Sequence, residues 1–345
     1  MDAAALRILD ANFNRAREGL RVLEEHARFA LDDAALTSAL KLLRHDLSAI
    51  AGSLLGPESL ARRDTPGDCG TGITTESEGV RTDTASIAAA AAKRLAESLR
   101  CIEEYGKLIN PSVATQAEQI RYRLYSIEQE MIVTSPRRRR LRDARIHVLV
   151  TAELCKGEWQ SVCKAVLEGG ADVIQLREKS LSDRELVARA RTFHDMTRAA
   201  GALLFINDRP DIARLCHADG VHVGQTDLSV ADVRSIVGPT VLVGKSTHSV
   251  AEIKQAIDEK PDYIAVGTMF ASATKPDVKV AGPQLLEEAV RLTDLPLVAI
   301  GGITVDNIGR LNARPPFAVA VSHSVIASVD PSAAVRAIKA GFSNQ

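Results

Sequence analysis

Residues 171–179 read Ala-Asp-Val-Ile-Gln-Leu-Arg-Glu-Lys, and this stretch decides how the second half of the chain folds. Its apolar first half predicts a short buried strand, and Gln175, Arg177 and Lys179 follow on alternate positions where that strand would leave its sheet. In a parallel α/β barrel, chemistry takes place at this exit face. Two cations there favour a polyanionic ligand, most simply a pyrophosphate.

The same pattern of a short apolar run followed by polar residues recurs along the rest of the chain. The predicted strands are 146–150, 173–176, 203–206, 220–223, 241–244, 263–266, 297–300 and 318–321. Amphipathic helical stretches such as 183–200 separate them, which indicates a parallel sheet covered by helices. Eight such units in about 200 residues predict an α/β fold, a (β/α)8 TIM barrel, over residues 145–345.

The chain before residue 135 has apolar residues at helical spacings of three and four. Residues 14–26 align with residues 93–105, and residues 43–47 resemble residues 120–124. A duplicated helix pair predicts a pseudo-symmetric, all-α helical bundle domain over residues 1–134.

Residues 135–144 contain Pro136 followed by four consecutive arginines. We interpret this stretch as a solvated, Arg-rich linker between the two domains, with the proline ending the preceding helix. A nucleic-acid or localisation patch is the alternative that an arginine run leaves open.

The composition sets bounds on the kind of partner. The 345 residues carry a net charge of −1 and only 3% aromatic residues, so nothing global argues for nucleic acid. Five scattered cysteines without a Cys-x-x-Cys pair indicate reduced thiols. The start of the sequence lacks a signal pattern, and no apolar run could span a bilayer. We therefore expect a cytoplasmic protein that binds small molecules and neither nucleic acid nor membrane, and a homo-oligomer is left open.

Polar residues follow the other predicted strands as well. Asn207 and Asp208 follow the third strand, and Asp227 follows the fourth. Two carboxylates on neighbouring strand ends can hold one Mg²⁺, with water and phosphate oxygens completing an octahedron. Taken singly, Asp208 could instead pair with Arg209, and Asp227 could cap the next helix.

The predicted mouth of the barrel therefore has two anion sites. One is cationic and assisted by metal, and it comprises Arg177, Lys179, Asp208, Asp227 and Lys275. The other uses backbone amides and hydroxyls, and it comprises Ser272, Thr274, Gly302 and Ser322. A reaction with a departing pyrophosphate and a second, monophosphorylated substrate fits this set of residues.

These motifs resemble those of the thiamine-phosphate synthase (thiamine-phosphate pyrophosphorylase) family, and the likeness runs in order through residues 145–340. The segments that carry it are 175–179, 206–208, 220–225, 227, 246–248, 274–275 and 299–303. The family joins hydroxymethylpyrimidine diphosphate to hydroxyethylthiazole phosphate and releases pyrophosphate. Its reaction is dissociative: pyrophosphate leaves first, and the thiazole nitrogen then attacks the pyrimidine-methyl cation.

The resemblance implies a role for each matching residue. The pyrimidine diphosphate would be held by Gln175, Arg177, Lys179, Asn207, Ser246 and Lys275, and one Mg²⁺ by Asp208 and Asp227. The thiazole phosphate would be taken by Ser272, Thr274, Gly302 and the Val321 and Ser322 amides, and the substrate-binding set also includes Leu176, Glu178 and Ala273. Catalysis is expected from Arg177, Lys179 and Lys275, which would stabilise the leaving group.

Four positions of the barrel depart from the family pattern, and one of them, Ser272, replaces a threonine and keeps the hydroxyl. Val148 stands where an aromatic residue is usual, Lys245 where a small apolar residue is usual, and Phe317 where the last strand usually begins with glycine. A related subfamily with the same barrel is a thiazole tautomerase, in which His248 could serve as the base. The pair Thr274-Lys275, which that subfamily tends to lose, favours the synthase.

Residues 1–130 resemble the helical domain that is often fused ahead of these synthases, on segments 10–21, 43–47, 63–65 and 93–105. That family is associated with hydroxymethylpyrimidine phosphate kinase activity, which implies ATP as a substrate. Cations and carboxylates for such a role are Arg15, Arg21, Arg62, Arg63, Arg94, Asp10, Glu18, Asp64, Asp68 and Glu97. The alternative is an oligomerisation module whose helix faces carry ordinary Glu–Arg pairs.

Overall fold

The computed structural model describes residues 3–56, 67, 81–271, 279–311 and 317–341. It divides into two compact units, residues 1–136 and 137–345. Within the described ranges, no helix combines the length and the apolar character needed to cross a bilayer.

The first unit is helical, as predicted. Its helices are α1 (Ala3–Glu25), α2 (Ala34–Leu54), α3 (Thr84–Gly106) and α4 (Pro111–Gln129), with π-helical turns at His26–Ala30 and Glu130–Thr134. Asp33 and Asp83 cap α2 and α3 by accepting a backbone N–H three residues further on. Fully buried leucines such as Leu20, Leu40 and Leu99 form the core between the helices.

The predicted repeat is visible in the ion pairs that join the helices. Arg44 of α2 donates from Nε to Oε2 of Glu24 on α1, at 3.0 Å. Arg121 of α4 donates from Nε to Oε2 of Glu103 on α3, at 3.1 Å. Glu24 and Glu103 hold equivalent places in the aligned segments, so the two helix pairs are built alike.

The second unit is a closed barrel of eight parallel strands in sequence order, which confirms the predicted TIM barrel. The strands are β1 (Ile146–Val150), β2 (Val173–Leu176), β3 (Leu203–Asn207), β4 (Gly220–Val223), β5 (Leu242–Thr247), β6 (Tyr263–Gly267), β7 (Leu297–Ile300) and β8 (Phe317–Val321). The helices that follow α4 are α5 (Ser135–Asp143), α6 (Trp159–Glu168), α7 (Asp183–Ala200), α8 (Pro210–Leu215), α9 (Val230–Val237), α10 (Val250–Glu259), α11 (Pro283–Leu292), α12 (His323–Ile326) and α13 (Pro331–Ala340).

Alternation along each strand separates the barrel interior from the layer under the helices. On β2, Val173 belongs to the apolar cluster inside the barrel, whereas Ile174 and Leu176 belong to the cluster between strands and helices. Because Gln175 alternates with these outward residues, its side chain faces the inside of the barrel near the mouth.

The structure corrects one prediction for the arginine run, because residues 135–143 form helix α5, although residues 138–140 are exposed. Pro136 lies in the first turn of this helix, where proline is tolerated, and so it does not end the helical segment. Arg137 pairs with Asp219 at 3.0 Å and Arg138 with Asp262 at 2.9 Å. Both aspartates directly precede a strand, so α5 lies against the end of the barrel opposite the mouth.

Candidate active site

The ends of β2 and β3 are joined by a hydrogen bond between two amide side chains. The family resemblance implies that both of them bind the pyrimidine diphosphate. Gln175 donates from Nε2 to Oδ1 of Asn207 at 2.8 Å. Gln175 is buried and Asn207 is partly exposed, so the pair fixes the orientation of the Asn207 amide at the mouth.

Arg177 follows β2 and reaches a cavity of about 370 Å³ at the mouth. Its backbone is held on both sides, since its N–H donates to the Val150 carbonyl at 2.9 Å and its carbonyl accepts from the Thr151 hydroxyl at 2.7 Å. The cavity brings together five of the predicted site residues, which are Arg177, Ser246, Gly302, Val321 and Ser322. Lys179, two positions beyond Arg177, is exposed to solvent.

Two residues of the predicted substrate-binding set have other tasks for their side chains. Leu176 is buried between the strands and the helices. The Glu178 carboxylate has 2% exposure, accepts from the Ala152 N–H at 2.9 Å and pairs with Arg189 at 2.6 Å. These side chains fix the strand end that carries Arg177, and a part for Leu176 and Glu178 in substrate binding stays a prediction.

The carboxylates predicted to hold a metal are both set by local backbone geometry. Asp208 has a φ of 62°, a left-handed conformation that aspartate tolerates better than most residues. Its N–H donates to the His222 carbonyl at 2.8 Å, which ties it to β4. Asp227 accepts from the Gly224 N–H at 2.7 Å, which closes the turn after β4.

These two carboxylates lie close enough to influence one another. Burial, with the hydrogen bond and negative charge of Asp227, raises the pKa of Asp208 to about 6. The positive charges of Lys179 and Arg177 oppose this rise, so both predicted cations also lie near Asp208. The structure thus gathers two carboxylates and two cations beside the amide pair.

The simpler roles considered for these aspartates are not the ones the structure shows. Arg209 pairs with Asp183 at 2.7 Å and with Asp211 at 2.6 Å. Helix α9 is capped by Ser229, whose side chain accepts from a backbone N–H. Asp208 therefore does not pair with Arg209, and Asp227 does not cap α9, which is consistent with a role for both carboxylates at the mouth of the barrel.

Ser246 is held by a buried polar chain that sequence reasoning missed. His222 on β4 lies with Nε2 at 2.8 Å from the Ser246 hydroxyl and with Nδ1 at 2.7 Å from the Tyr263 hydroxyl. Burial lowers the pKa of His222 to about 4, so the ring is neutral and has one donor and one acceptor nitrogen. A side chain on Gly244 would overlap the Tyr263 ring, which explains the glycine there. The sequence signal that could have revealed this chain is His222 itself, a polar residue at an inward position of the apolar strand β4.

The loop after β7 places the backbone of Gly302 close to neighbouring backbone, and its approach to an anion stays a prediction. Gly302 has a φ of 64°, and a Cβ there would meet the carbonyl oxygens of Phe270 and Ala271. Its own carbonyl accepts from Asn307 Nδ2 at 2.8 Å. A larger residue at 302 would displace the backbone that the thiazole phosphate is expected to approach.

Ser322 lies directly after β8 and lines the same cavity. Its hydroxyl donates to the Leu149 carbonyl at 3.0 Å. Since that proton is engaged, an anion here would be met by backbone N–H groups, which agrees with the role implied for the Val321 and Ser322 amides. The remaining predicted residues, Ser272, Ala273, Thr274 and Lys275, lie outside the described residues.

Three of the four departures from the family pattern do not touch the mouth, and the fourth, Ser272, lies outside the described residues. Lys245 has 5% side-chain exposure and lies with Nζ at 3.5 Å from Glu259 of α10, on the outer face of β5. Phe317 begins β8 at the opposite end of the barrel, and Val148 is packed among the outward-facing residues.

A closed parallel barrel with cations, paired carboxylates and a glycine loop at its mouth is typical of enzymes that act on phosphorylated small molecules. A family model described as thiamine monophosphate synthase matches residues 146–325, and one described as the ThiD2 family matches residues 7–130.

Curated relatives and a solved structure agree with these matches. A thiamine-phosphate synthase of Rhodopirellula baltica is 42% identical over 313 residues, which cover 88% of this chain and 83% of that protein. One of Synechocystis is 38% identical over 331 residues, covering 96% and 94%. The structure of thiamine phosphate pyrophosphorylase from Pyrococcus furiosus aligns with a TM-score of 0.53 and 31% identity, covering 60% of this chain and 98% of that one. The chain belongs to the thiamine-phosphate synthase family of transferases, and its helical unit is similar to the ThiD2 family.

Proposed function

We propose that the barrel condenses hydroxymethylpyrimidine diphosphate with hydroxyethylthiazole phosphate, giving thiamine phosphate and pyrophosphate. The observation that carries this proposal is the pairing of two different anion sites at one mouth. Arg177, Lys179 and the carboxylates lie on the β2–β4 side, and the Gly302 and Ser322 backbone lies on the β7–β8 side. A diphosphate and a monophosphate could thus meet across one cavity.

One Mg²⁺ is proposed to bind at Asp208 and Asp227. Asp227 helps to raise the pKa of Asp208, so the two carboxylates lie close enough to share a divalent cation, and Mg²⁺ commonly takes one or two carboxylates and leaves its other positions to water and phosphate oxygens. Bound there, the ion supplies positive charge to the departing pyrophosphate.

The protein's own groups would then divide the work. Arg177 and Lys179 stabilise negative charge as the carbon–oxygen bond to pyrophosphate breaks. The Gln175–Asn207 pair and Ser246 orient the pyrimidine, so that its methylene carbon faces the thiazole nitrogen when the new carbon–nitrogen bond forms.

For the helical unit we propose phosphorylation of hydroxymethylpyrimidine phosphate with ATP, which would supply the substrate of the barrel. The match to the ThiD2 family supports this role. Arg21 is less suited to phosphate binding than the sequence suggested, because it already pairs with Glu24 and Glu25. Arg62, Arg63, Asp64 and Asp68 lie outside the described residues, and work in the cytoplasm stays a prediction.

One observation keeps the tautomerase as a second candidate for the barrel. His248 lines the mouth cavity, and its Nδ1 lies 3.3 Å from the Glu252 carboxylate, an arrangement that suits a general base. The matches to synthases over most of the chain favour condensation.

Three reaction mixtures with the purified chain and Mg²⁺ test these proposals. The first contains pyrimidine diphosphate and thiazole phosphate, the second pyrimidine monophosphate, ATP and thiazole phosphate, and the third thiazole tautomer alone. Thiamine phosphate in the first two supports both activities, and product in the first alone removes the kinase. Isomerisation in the third with no product in the others would replace the synthase by the tautomerase.

A further inference from the structure

The helical unit contains a cavity of about 360 Å³ between α1 and α2. Its polar side is formed by Asp10, Asn14 and Arg17, and its apolar side includes Phe13 and Leu47. The barrel reaction has no use for these residues.

The three polar residues form a ladder from the inside of the unit to its surface. Their spacing of four and three residues puts them on one face of α1. Asp10 is only 8% exposed, and its Oδ1 accepts from Asn14 Nδ2 at 3.5 Å. Arg17 donates to Oδ1 of Asn14 and is exposed. A buried carboxylate therefore lies at one end of the cavity and a guanidinium at the other.

The internal repeat shows that helix packing does not require this ladder. In the aligned segment of α3, Asn14 is replaced by Lys93, Arg17 by Ala96, and, continuing the alignment, Asp10 by Ala89. The interhelical pairs Glu24–Arg44 and Glu103–Arg121 are nevertheless present in both copies.

The second helices of the two pairs, α2 and α4, also differ at the positions that line the cavity. Ser48 and Gly52 line the cavity on α2, whereas Tyr125 and Gln129 stand at the aligned positions of α4. The Tyr125 hydroxyl accepts from Arg121 Nη1 at 3.1 Å. The first copy thus keeps small residues where the second copy has large ones, which leaves space beside a polar ladder.

We infer that this cavity binds a planar, amino-substituted heteroaromatic ring that carries one phosphate. The inner carboxylate of Asp10 suits the N–H donors of the ring, and Phe13 and Leu47 offer apolar contact to its faces. The guanidinium of Arg17 suits the phosphate at the open end, where it would remain accessible to a second substrate.

The size of the cavity favours the phosphate acceptor over ATP. At about 360 Å³ it is near the small end of ligand sites, which suits one ring with one phosphate. The inference rests on the proposed kinase function, under which the ligand is hydroxymethylpyrimidine phosphate.

Three variants of the full chain probe the site, with one matched control. Arg17→Ala removes the phosphate contact, and Asp10→Asn alters the ring contact. Gly52→Leu fills the cavity, and since a Cβ at Gly52 meets no atom within 4 Å, it enters open space and also favours the helix. Arg7→Ala removes an exposed arginine from the same helix outside the cavity and is the control.

Calorimetric binding of hydroxymethylpyrimidine phosphate without ATP is the first readout, and the KM for it in the kinase assay is the second. We expect Arg17→Ala and Asp10→Asn to weaken binding at least tenfold, Gly52→Leu to abolish it, and Arg7→Ala to leave it unchanged. Condensation from pyrimidine diphosphate, which uses the barrel alone, should remain in all four variants, and an unchanged helical circular-dichroism signal and urea midpoint show that the helical unit is folded.

The outcomes separate this inference from the kinase proposal. If the wild type makes pyrimidine diphosphate but the three variants leave binding and KM unchanged, the cavity assignment is overturned and the kinase stands. If the wild type transfers no phosphate, the kinase is overturned and binding decides the cavity. Binding that Gly52→Leu abolishes then supports a ligand site, and absent or unaltered binding overturns it.

Discussion

Nε2 of His222 lies 2.8 Å from the hydroxyl of Ser246, in the floor of the barrel mouth. The ring is fully buried and neutral, and its other nitrogen is held by Tyr263 at 2.7 Å. Ser246 is therefore oriented from below by a group that does not itself line the mouth cavity. His222 is a positioning residue of the proposed synthase.

Replacing the His222 ring should weaken substrate binding, although the ring does not line the mouth cavity. His222→Phe leaves the Ser246 hydroxyl without its partner, and we expect kcat/KM for the pyrimidine diphosphate to fall about tenfold, equal to about 1.4 kcal/mol. Steady-state kinetics measures the change. Tyr263→Phe, which keeps the contact between His222 and Ser246, should cost less, and an equal or larger loss there would contradict the positioning role.

Glu178 should matter for stability. Glu178→Ala leaves the Arg189 guanidinium and the Ala152 N–H without this carboxylate, and we expect a loss of about 2 kcal/mol in the free energy of unfolding. Urea denaturation measures it. Glu168→Ala is the control, because its exposed pair with Lys164 at 3.9 Å should contribute almost nothing. A loss no greater than that of the control would show that Glu178 is not structural.

The barrel should lose stability in mild acid because of two buried histidines. Burial lowers the pKa of His147 to about 3 and that of His222 to about 4, whereas both titrate near 6.5 in the unfolded chain. The stability of the folded barrel is therefore unaffected by these two histidines above pH 6.5. It decreases as the pH falls from 6.5 towards their folded-state pKa values of about 4 and 3. At pH 5 each should cost about 2 kcal/mol relative to pH 7, and the raised pKa of Asp208 acts in the opposite sense and offsets part of this loss.

Urea midpoints at pH 7 and pH 5 test this pH dependence. His147→Leu should remove about 2 kcal/mol of it at little cost at pH 7, because Nε2 of His147 has no hydrogen-bond partner among the described residues. If the variant keeps the full pH dependence, His147 does not carry the share assigned to it.

The carboxylate pair should control metal dependence. Asp208→Asn removes one of the two charges that face the proposed ion, and we expect the Mg²⁺ concentration for half-maximal condensation to rise at least tenfold. A Mg²⁺ titration of the initial rate measures it. Asp183→Asn, which removes an exposed carboxylate paired with Arg209, is the control. An unchanged requirement in Asp208→Asn would move the metal elsewhere.

Much of the barrel and its mouth could be predicted because local pattern decides both. Continuous apolar runs such as 203–206 can only be strands buried on both faces, and polar residues directly after them must lie at the mouth. Gln175 and Asn207 are one such pair, and their contact follows from the pairing of adjacent strands.

The errors arose where a distant partner decides the role of a residue. The arginine run looks solvated in sequence, but Arg137 and Arg138 meet Asp219 and Asp262, whose proximity depends on the closed barrel. Glu178 stands inside the segment 175–179 that the sequence predicts to bind substrate, yet its carboxylate pairs with Arg189 of α7. The spacing of residues within either segment gives no indication of these ion pairs.

The proposed barrel reaction releases one pyrophosphate for each thiamine phosphate that it forms. The most direct measurement quantifies thiamine phosphate and pyrophosphate together, as the full chain consumes pyrimidine diphosphate and thiazole phosphate with and without Mg²⁺. We predict equal amounts of the two products with the metal and neither product after chelation. Absence of thiamine phosphate, or its formation without an equal amount of pyrophosphate, would contradict the account.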